Sequence, residues 1–342
     1  HQGEDADGRR YLYFLAQYGV LSLGHNHPEL CDELTAFLGS RAVVMSQPFP
    51  PVAAEALAER LVEIAPGDLA HAIFTNSGAE AVEAAIKLAR ARTGRLGILS
   101  TVGGFHGKTL GALSATGRPA YQKPFGLPVP GFAYVPFGDL GALEDALAKG
   151  EFAAFLVEPI QGEGGVVPAP DGYLEAALAL CRARGTLFVL DEVQTGLGRT
   201  GQLFSMEEGD GPDVLLLAKA LGGGLVPIGA MLTTADAWDH EFGFLHSSTF
   251  ANNNLACRVA LKTLEILERD DRRLVRHVAR NGAYLLERLR DLAVRFPGVI
   301  AGVRGKGYLA GVEFHPFEGS DSHVLTYLSN GGYLVPALCG YL

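Results

Sequence analysis

A lysine follows directly on five apolar residues in Val214-Leu-Leu-Leu-Ala-Lys219. Burying an ammonium is expensive, and desolvation favours the neutral, nucleophilic amine, which suits a lysine that captures an aldehyde. An acid is placed in a similar way in Leu187-Phe-Val-Leu-Asp191. A carboxylate at the C-terminal end of a buried strand lies where open α/β sheets bind ligands. In Thr75-Asn76-Ser77-Gly78-Ala79-Glu80, Ser77 stands where a strand gives way to a helix. That is a favoured N-cap position, and Gly78 lets an anion approach the free N–H groups of the helix start. Phe105, between glycines in Gly104-Phe105-His106-Gly107, can lie flat on another π-system. His246-Ser247-Ser248-Thr249-Phe250 adds hydroxyl donors.

Taken singly, each segment has a plainer reading: a surface lysine, a turn aspartate, a capped helix, a core phenylalanine, a turn. Taken together they supply what pyridoxal phosphate requires, with its phosphate, pyridine nitrogen, phenolic oxygen, flat ring and aldehyde. Asp191 can hold the ring nitrogen protonated. Val193 points to the same side of an extended chain as Asp191 and can pack on the ring, and Gln194 can donate to the phenolic oxygen.

The elements that must position these residues read as alternating apolar strands and amphipathic helices. Strands are predicted at 72–75, 96–100, 152–157, 187–190, 214–218 and 229–233, with helices at 79–92 and about 173–184. Fully apolar strands alternating with helices imply an α/β fold with a mostly parallel central sheet covered on both faces. Two helical patterns, 255–269 and 272 to about 296, precede short strands near 299–303 and 307–314. These define a large cofactor-binding domain over 45–250 and a smaller α+β domain from 1–44 with 251–342. The chain starts at His1 inside what reads as folded sequence and stops within an apolar run, so both ends read as cut.

The 342 residues suggest two domains at ~150 residues each. With 48% hydrophobic and 19% charged residues, the chain is not disordered. Lys+Arg number 28 against 38 Asp+Glu, a formal charge of −10, which speaks against non-specific nucleic-acid binding. No apolar run approaches the ~18 residues of a membrane span, and no leader pattern is evident. Cys31, Cys181, Cys257 and Cys339 form no CxxC pair, which fits a reducing, cytoplasmic setting and no thiolate metal site. Gly196-Leu-Gly-Arg-Thr-Gly201 matches a dinucleotide fingerprint, but no helix evidently opens at Gly201, so a glycine-rich turn is favoured. Lys108-Thr109 resembles a P-loop end, yet Val102 stands where its first glycine belongs.

From Asp7-Gly8 to about Phe314 the chain resembles the class III pyridoxal-phosphate-dependent aminotransferases, of fold type I. The resemblance rests on Asn76-Ser-Gly-Ala-Glu80, Val157-Glu-Pro-Ile-Gln-Gly-Glu-Gly-Gly165, Asp191-Glu-Val-Gln-Thr-Gly-Leu-Gly-Arg-Thr-Gly201 and Ala218-Lys-Ala-Leu-Gly-Gly-Gly224, in this order and spacing. It implies that Lys219 forms the Schiff base, Asp191 pairs with the ring nitrogen and Gln194 meets the phenolic oxygen. Val193 and Phe105 would sandwich the ring, and Ser77, Gly78 and Ala79 would cradle the phosphate. His106, Glu158 and Ser248 join the cofactor-binding set. Thr249 would reach the phosphate of the neighbouring subunit, making a homodimer with shared sites.

The chain is most similar to the ornithine and acetylornithine branch, in which a glutamate matching Glu163 neutralises an arginine used for 2-oxoglutarate. Tyr18 matches a tyrosine near the substrate entrance. Lys108 stands where the family often has arginine, and Ala251-Asn252-Asn253-Asn254 replaces a usual Gly-Gly-Asn-Pro. The segment that normally carries the substrate-carboxylate arginine does not appear. The implied activity is ping-pong transfer of an amino group, from a terminal amine, to a keto acid or aldehyde such as 2-oxoglutarate. The alternatives are another reaction of the same cofactor (aminomutase, racemase or decarboxylase), or a domain of a biosynthetic multienzyme acting on a tethered or unusual carbonyl.

Overall fold

Seven strands, β1 (Leu69–Thr75), β2 (Gly97–Thr101), β3 (Phe132–Val135), β4 (Phe152–Val157), β5 (Leu187–Asp191), β6 (Val214–Leu217) and β7 (Gly229–Thr234), form one sheet in the order β1-β7-β6-β5-β4-β2-β3 in a computed structural model. The structure describes residues 2–4, 6–46 and 51–316. The expected strands are all present, with ends shifted by up to three residues. β3 was not foreseen, and β7 runs antiparallel to both neighbours while β6, β5, β4, β2 and β3 are mutually parallel.

The apolar runs are buried on both faces because alternate residues serve different layers. Phe188 and Leu190 of β5 face one hydrophobic cluster, with α2 (Val52–Ile64), α4 (Leu140–Lys149) and α5 (Tyr173–Ala183). Val189 faces the other, dominated by α3 (Gly78–Thr93). Leu215 and Leu217 against Val214 and Leu216 repeat the alternation in β6. The buried stripe of α3 carries Ala81, Ala84, Ala85 and Ala89, small side chains that let the helix lie close to the sheet.

Helix α1 (Pro28–Ser40) and the long α6 (Asn254–Arg295) pack on each other. Non-helical residues Arg269–Arg272 interrupt α6, between the two helical patterns read in the sequence. Asn253 caps α6, its Oδ1 accepting from Ala256 N–H at 2.7 Å, and Asn254 Nδ2 donates to Val43 O at 2.8 Å. Asn253 stands where the family pattern also has asparagine, and the Asn254 contact gives a role to a residue that departs from it. The hairpin β8 (Ile300–Lys306) with β9 (Leu309–Phe314) stands apart from the central sheet. Cys339 and the remainder of 317–342 lie outside the described residues.

This topology gathers the chemistry at one edge. The C-terminal ends of β4, β5 and β6 deliver Glu158, Asp191 and Lys219, and the reversed β7 begins beside them at Gly229, preceded by Val226-Pro227-Ile228. The helix α3 starts at the same edge, with two residues between it and the end of β1.

Candidate active site

A cavity of ≈ 600 Å³ opens at this edge. Ser77, Gly78, Ala79, Phe105, His106, Lys108, Glu158, Glu163, Asp191, Val193, Gln194, Lys219 and Tyr18 all line it. Ser248 and Thr249 do not. Ser248 Oγ accepts from Asn76 Nδ2 at 2.9 Å, and Thr249 is exposed.

At the mouth of α3, Ser77 is the N-cap and its Oγ accepts from Glu80 N–H at 3.2 Å. A Cβ on Gly78 would meet Val193 Cγ1 at 2.8 Å, so only glycine leaves Val193 its place over the helix start. The remaining first-turn N–H groups and the helix dipole make this an anion cradle.

Asp191 is fixed from two sides. Its Oδ2 takes a 2.8 Å contact from His106 Nδ1, and its Oδ1 accepts from Val193 N–H at 3.0 Å. Burial works to lower the His106 pKa, but the hydrogen bond and charge of Asp191 outweigh it and hold the imidazole above its ordinary range. Glu158 accepts from Phe105 N–H at 2.8 Å and Gly162 N–H at 3.2 Å, which pins the aromatic segment.

Lys219 begins a short turn with its own backbone at φ +44°, a left-handed conformation that costs a non-glycine residue about 1–2 kcal/mol. Burial lowers its ammonium pKa, against the attraction of Asp191, Glu158 and Glu163. Among the described residues it makes no ion pair. The glycines that follow admit this chain's own side chains: a Cβ on Gly223 would collide with Leu30, and one on Gly224 would meet Leu21 Cδ2 at 2.7 Å.

Gln194 Nε2 donates to Tyr18 O at 3.0 Å, and Arg199 Nη2 donates to Gly19 O at 3.1 Å and Ser22 Oγ at 3.0 Å. The segment from Asp191 to Arg199 therefore both lines the cavity and ties down the loop carrying Tyr18. Within the glycine-rich run, Leu197, Gly198 and Gly201 all have positive φ, which makes it a turn and not a helix start.

Sequence reasoning missed Arg118 and Tyr121. The Arg118 guanidinium lies 4.7 Å from the Tyr121 ring centroid, and Tyr121 lines the cavity. Neither belongs to a motif, and an arginine near a tyrosine is common on surfaces, so no local signal marks them.

A half-buried amine with no ion pair among the described residues, a carboxylate fixed at both oxygens, an open helix start and flanking Phe105 and Val193 fit pyridoxal phosphate. The model of the class III aminotransferase family matches residues 3–340. The chain belongs to the class III aminotransferases. It is 45% identical over 317 residues to aminotransferase PigE of Serratia sp., covering 90% of this chain and 37% of that protein. It is 42% identical over 326 residues to putrescine aminotransferase of Pectobacterium atrosepticum, covering 92% of this chain and 69% of that one. The ornithine aminotransferase of Toxoplasma gondii, solved with partial occupancy of pyridoxal phosphate, superposes with a TM-score of 0.83 at 35% identity, covering 92% of this chain and 75% of that chain. This class III aminotransferase has the fold type I architecture of its family, and the family's cofactor is pyridoxal phosphate.

The buried acids of this aminotransferase give its stability a defined pH dependence. Burial pushes Glu158 up to about 7, against His106 and with Asp191, and pushes Glu192 up to about 7 against hydrogen bonds from Ser205 and Thr195. Both bind protons more tightly folded than unfolded. Their contribution is complete below the ordinary value of 4.5 and lost as pH rises through about 7. The raised His106 acts with the same sign. Thermal melts between pH 5 and 8 are expected to show Tm falling with rising pH, and Glu192→Gln to flatten the fall. A Tm that rises or stays level over that window contradicts the assignment.

Proposed function

We propose that this protein transfers an amino group from a terminal (ω) amine to a keto acid or aldehyde acceptor such as 2-oxoglutarate, in two half-reactions at the cavity around Lys219. The observation that carries the reading is the convergence, in one cavity, of a half-buried lysine with no ion pair among the described residues, the fixed Asp191 and the α3 cradle. Family membership and the likeness to a putrescine aminotransferase support it.

Pyridoxal phosphate, when bound, supplies an electron-withdrawing ring that stabilises negative charge on the carbon next to the amine. Ser77, Gly78 and Ala79 hold its phosphate at the start of α3. Asp191, oriented by His106 and the Val193 N–H, holds a proton on the ring nitrogen. Val193 and Phe105 clamp the ring and exclude water, with Glu158 keeping Phe105 in place. Gln194 has its amide on the Tyr18 carbonyl, so its contact with the phenolic oxygen is made beside the loop that carries Tyr18. Lys219 Nζ, its pKa lowered by burial, accepts and returns a proton at the reacting carbon.

Thr249 is exposed, outside its own chain's cavity, and flanked by exposed Phe244, Leu245 and Phe250. Such apolar exposure supports a homodimer in which Ser248 and Thr249 complete the neighbouring subunit's phosphate site. The reading keeps the large domain over 45–250, the small one from 1–44 with 251–342, and a cytoplasmic setting. No helix among the described residues is long and apolar enough to cross a membrane.

Glu163 and Lys108 line the substrate side with Tyr18. A carboxylate there repels an α-carboxylate and tolerates a donor whose reacting amine is remote from one. In pre-steady-state half-reactions an ω-amine such as ornithine or a diamine is expected to reduce the cofactor faster than alanine. Glu163→Ala is expected to narrow the gap by speeding alanine. Alanine outpacing the ω-amine on the parent, or an unchanged ratio in the variant, would remove Glu163 from this role.

A further inference from the structure

Four residues in a row, Ala16 (φ +48°), Gln17 (φ +48°), Tyr18 (φ +56°) and Gly19 (φ +92°), hold left-handed backbone. Only Gly19 does so without steric cost. Such a run persists where its surroundings over-determine it, and strain of this kind gathers at sites that use it. Tyr18 lines the cavity yet is 58% exposed, so its backbone, more than its packing, sets where the ring stands.

Side chains of the segment 191–199 hold the run from one side. Gln194 Nε2 donates to Tyr18 O, and Arg199 Nη2 donates to Gly19 O and Ser22 Oγ. Arg199 has no carboxylate partner among the described residues, and its buried Nε has no acceptor. Its guanidinium is thus committed to this segment. From the other side the Lys219 turn closes on the same segment: a Cβ on Gly224 would lie 2.7 Å from Leu21 Cδ2 and 3.4 Å from Gly24 O. Tyr18 and Lys219 therefore stand on two strained turns whose flanking residues touch, and the backbone fixes their separation across the cavity.

We propose that Tyr18 and Lys219 form a length gauge for the donor, with Tyr18 the specificity-determining residue at its far end and Arg199 the positioning residue that keeps it there. The proposal rests on the amino-transfer reading above. Every donor places its reacting amine at Lys219, so a second ammonium meets the Tyr18 hydroxyl, which can accept from it, at one chain length only. A shorter donor leaves the two groups apart, and a longer one must fold or push the segment out. A partner held in place discriminates between lengths, whereas a mobile one follows the ligand and does not.

The test measures kcat/KM of the holoenzyme for 1,3-diaminopropane, 1,4-diaminobutane, 1,5-diaminopentane and 1,6-diaminohexane. The parent is expected to favour one length by about 10-fold or more over the length two carbons away. Arg199→Gln and Tyr18→Phe are each expected to cut that preference to within about three-fold. The double variant is expected to lose no more than Arg199→Gln alone, because both act through the same hydroxyl. Arg199→Lys, which keeps a charged donor for the carbonyl, is expected to fall between. A loss of kcat/KM that is parallel at every length marks a merely structural residue and overturns the gauge. A second arm needs no turnover. Hydrogen exchange of the holoenzyme segment 13–24, where Val20 and Leu21 N–H donate to Gln17 O and Ala16 O, is expected to speed by about 10-fold or more in Arg199→Gln and not in Tyr18→Phe. Unchanged exchange in Arg199→Gln overturns the positioning role. If no amine reduces the cofactor on the parent, the amino-transfer reading fails and the gauge with it; an active parent without a length preference overturns the gauge alone.

Discussion

Lys219→Ala is expected to slow the half-reaction with a diamine by about 10⁴-fold or more, since it removes both the capturing amine and the proton carrier. Single-turnover absorbance measures the rate. Borohydride treatment followed by peptide mass mapping supplies an independent readout: the parent is expected to retain the reduced cofactor on Lys219, and the variant nowhere. A colourless parent that gains no visible band with added pyridoxal phosphate, or a label on another lysine, refutes the assignment. The backbone at this position adds a stability signature. With φ at +44°, Lys219→Gly is expected to be more stable than Lys219→Ala by about 1 kcal/mol, because glycine takes a left-handed conformation without steric cost. Equal melting temperatures for the two variants would show that the turn relaxes.

Asp191→Ala and Asp191→Asn are both expected to slow the half-reaction by about 10²–10³-fold, the size typical of removing one preorganised electrostatic partner. Their stabilities are expected to diverge. Alanine strands the buried His106, whose Nδ1 loses its partner at 2.8 Å, and breaking such a pair costs on the order of 3–5 kcal/mol. Asparagine can still accept from Val193 N–H and face His106. A variant set in which the Asn protein keeps near-parental rates would reduce Asp191 to a structural part. One in which the Asn protein is stable and slow places the effect on its charge.

Much of this site is legible in the sequence because its parts are short and local. An apolar strand ending in Asp191, another followed by Lys219, and a Ser-Gly helix start each carry their placement in neighbouring residues. Their convergence follows from parallel strands sharing one edge. What was not legible is set by contacts distant in sequence. β7 reads as another apolar strand, and apolar alternation carries no sign of direction, so its reversal is invisible. β3 is four residues long and only partly buried, too short for a pattern. The helices over 28–40 and 52–64 pack on α6 and that over 140–149 on β3 and α5, and no chemistry in their own residues marks them. Arg118 acquires meaning only from Glu163, 45 residues later. Gly223 and Gly224 are glycines because of Leu30 and Leu21, which lie some two hundred residues upstream.

That last packing has a consequence for the order of events on the ribosome. Leu30 is fully buried, and its covering includes Gly223 and the neighbourhood of Thr263 in α6. Translation proceeds at about 5–20 residues per second, so the first helix waits roughly 10–50 s after its own synthesis for the residues that cover it. The segment around Leu30 that closes over the lysine turn is thus made well before the residues that shelter it, a long-range closure that slows folding and lengthens exposure to aggregation.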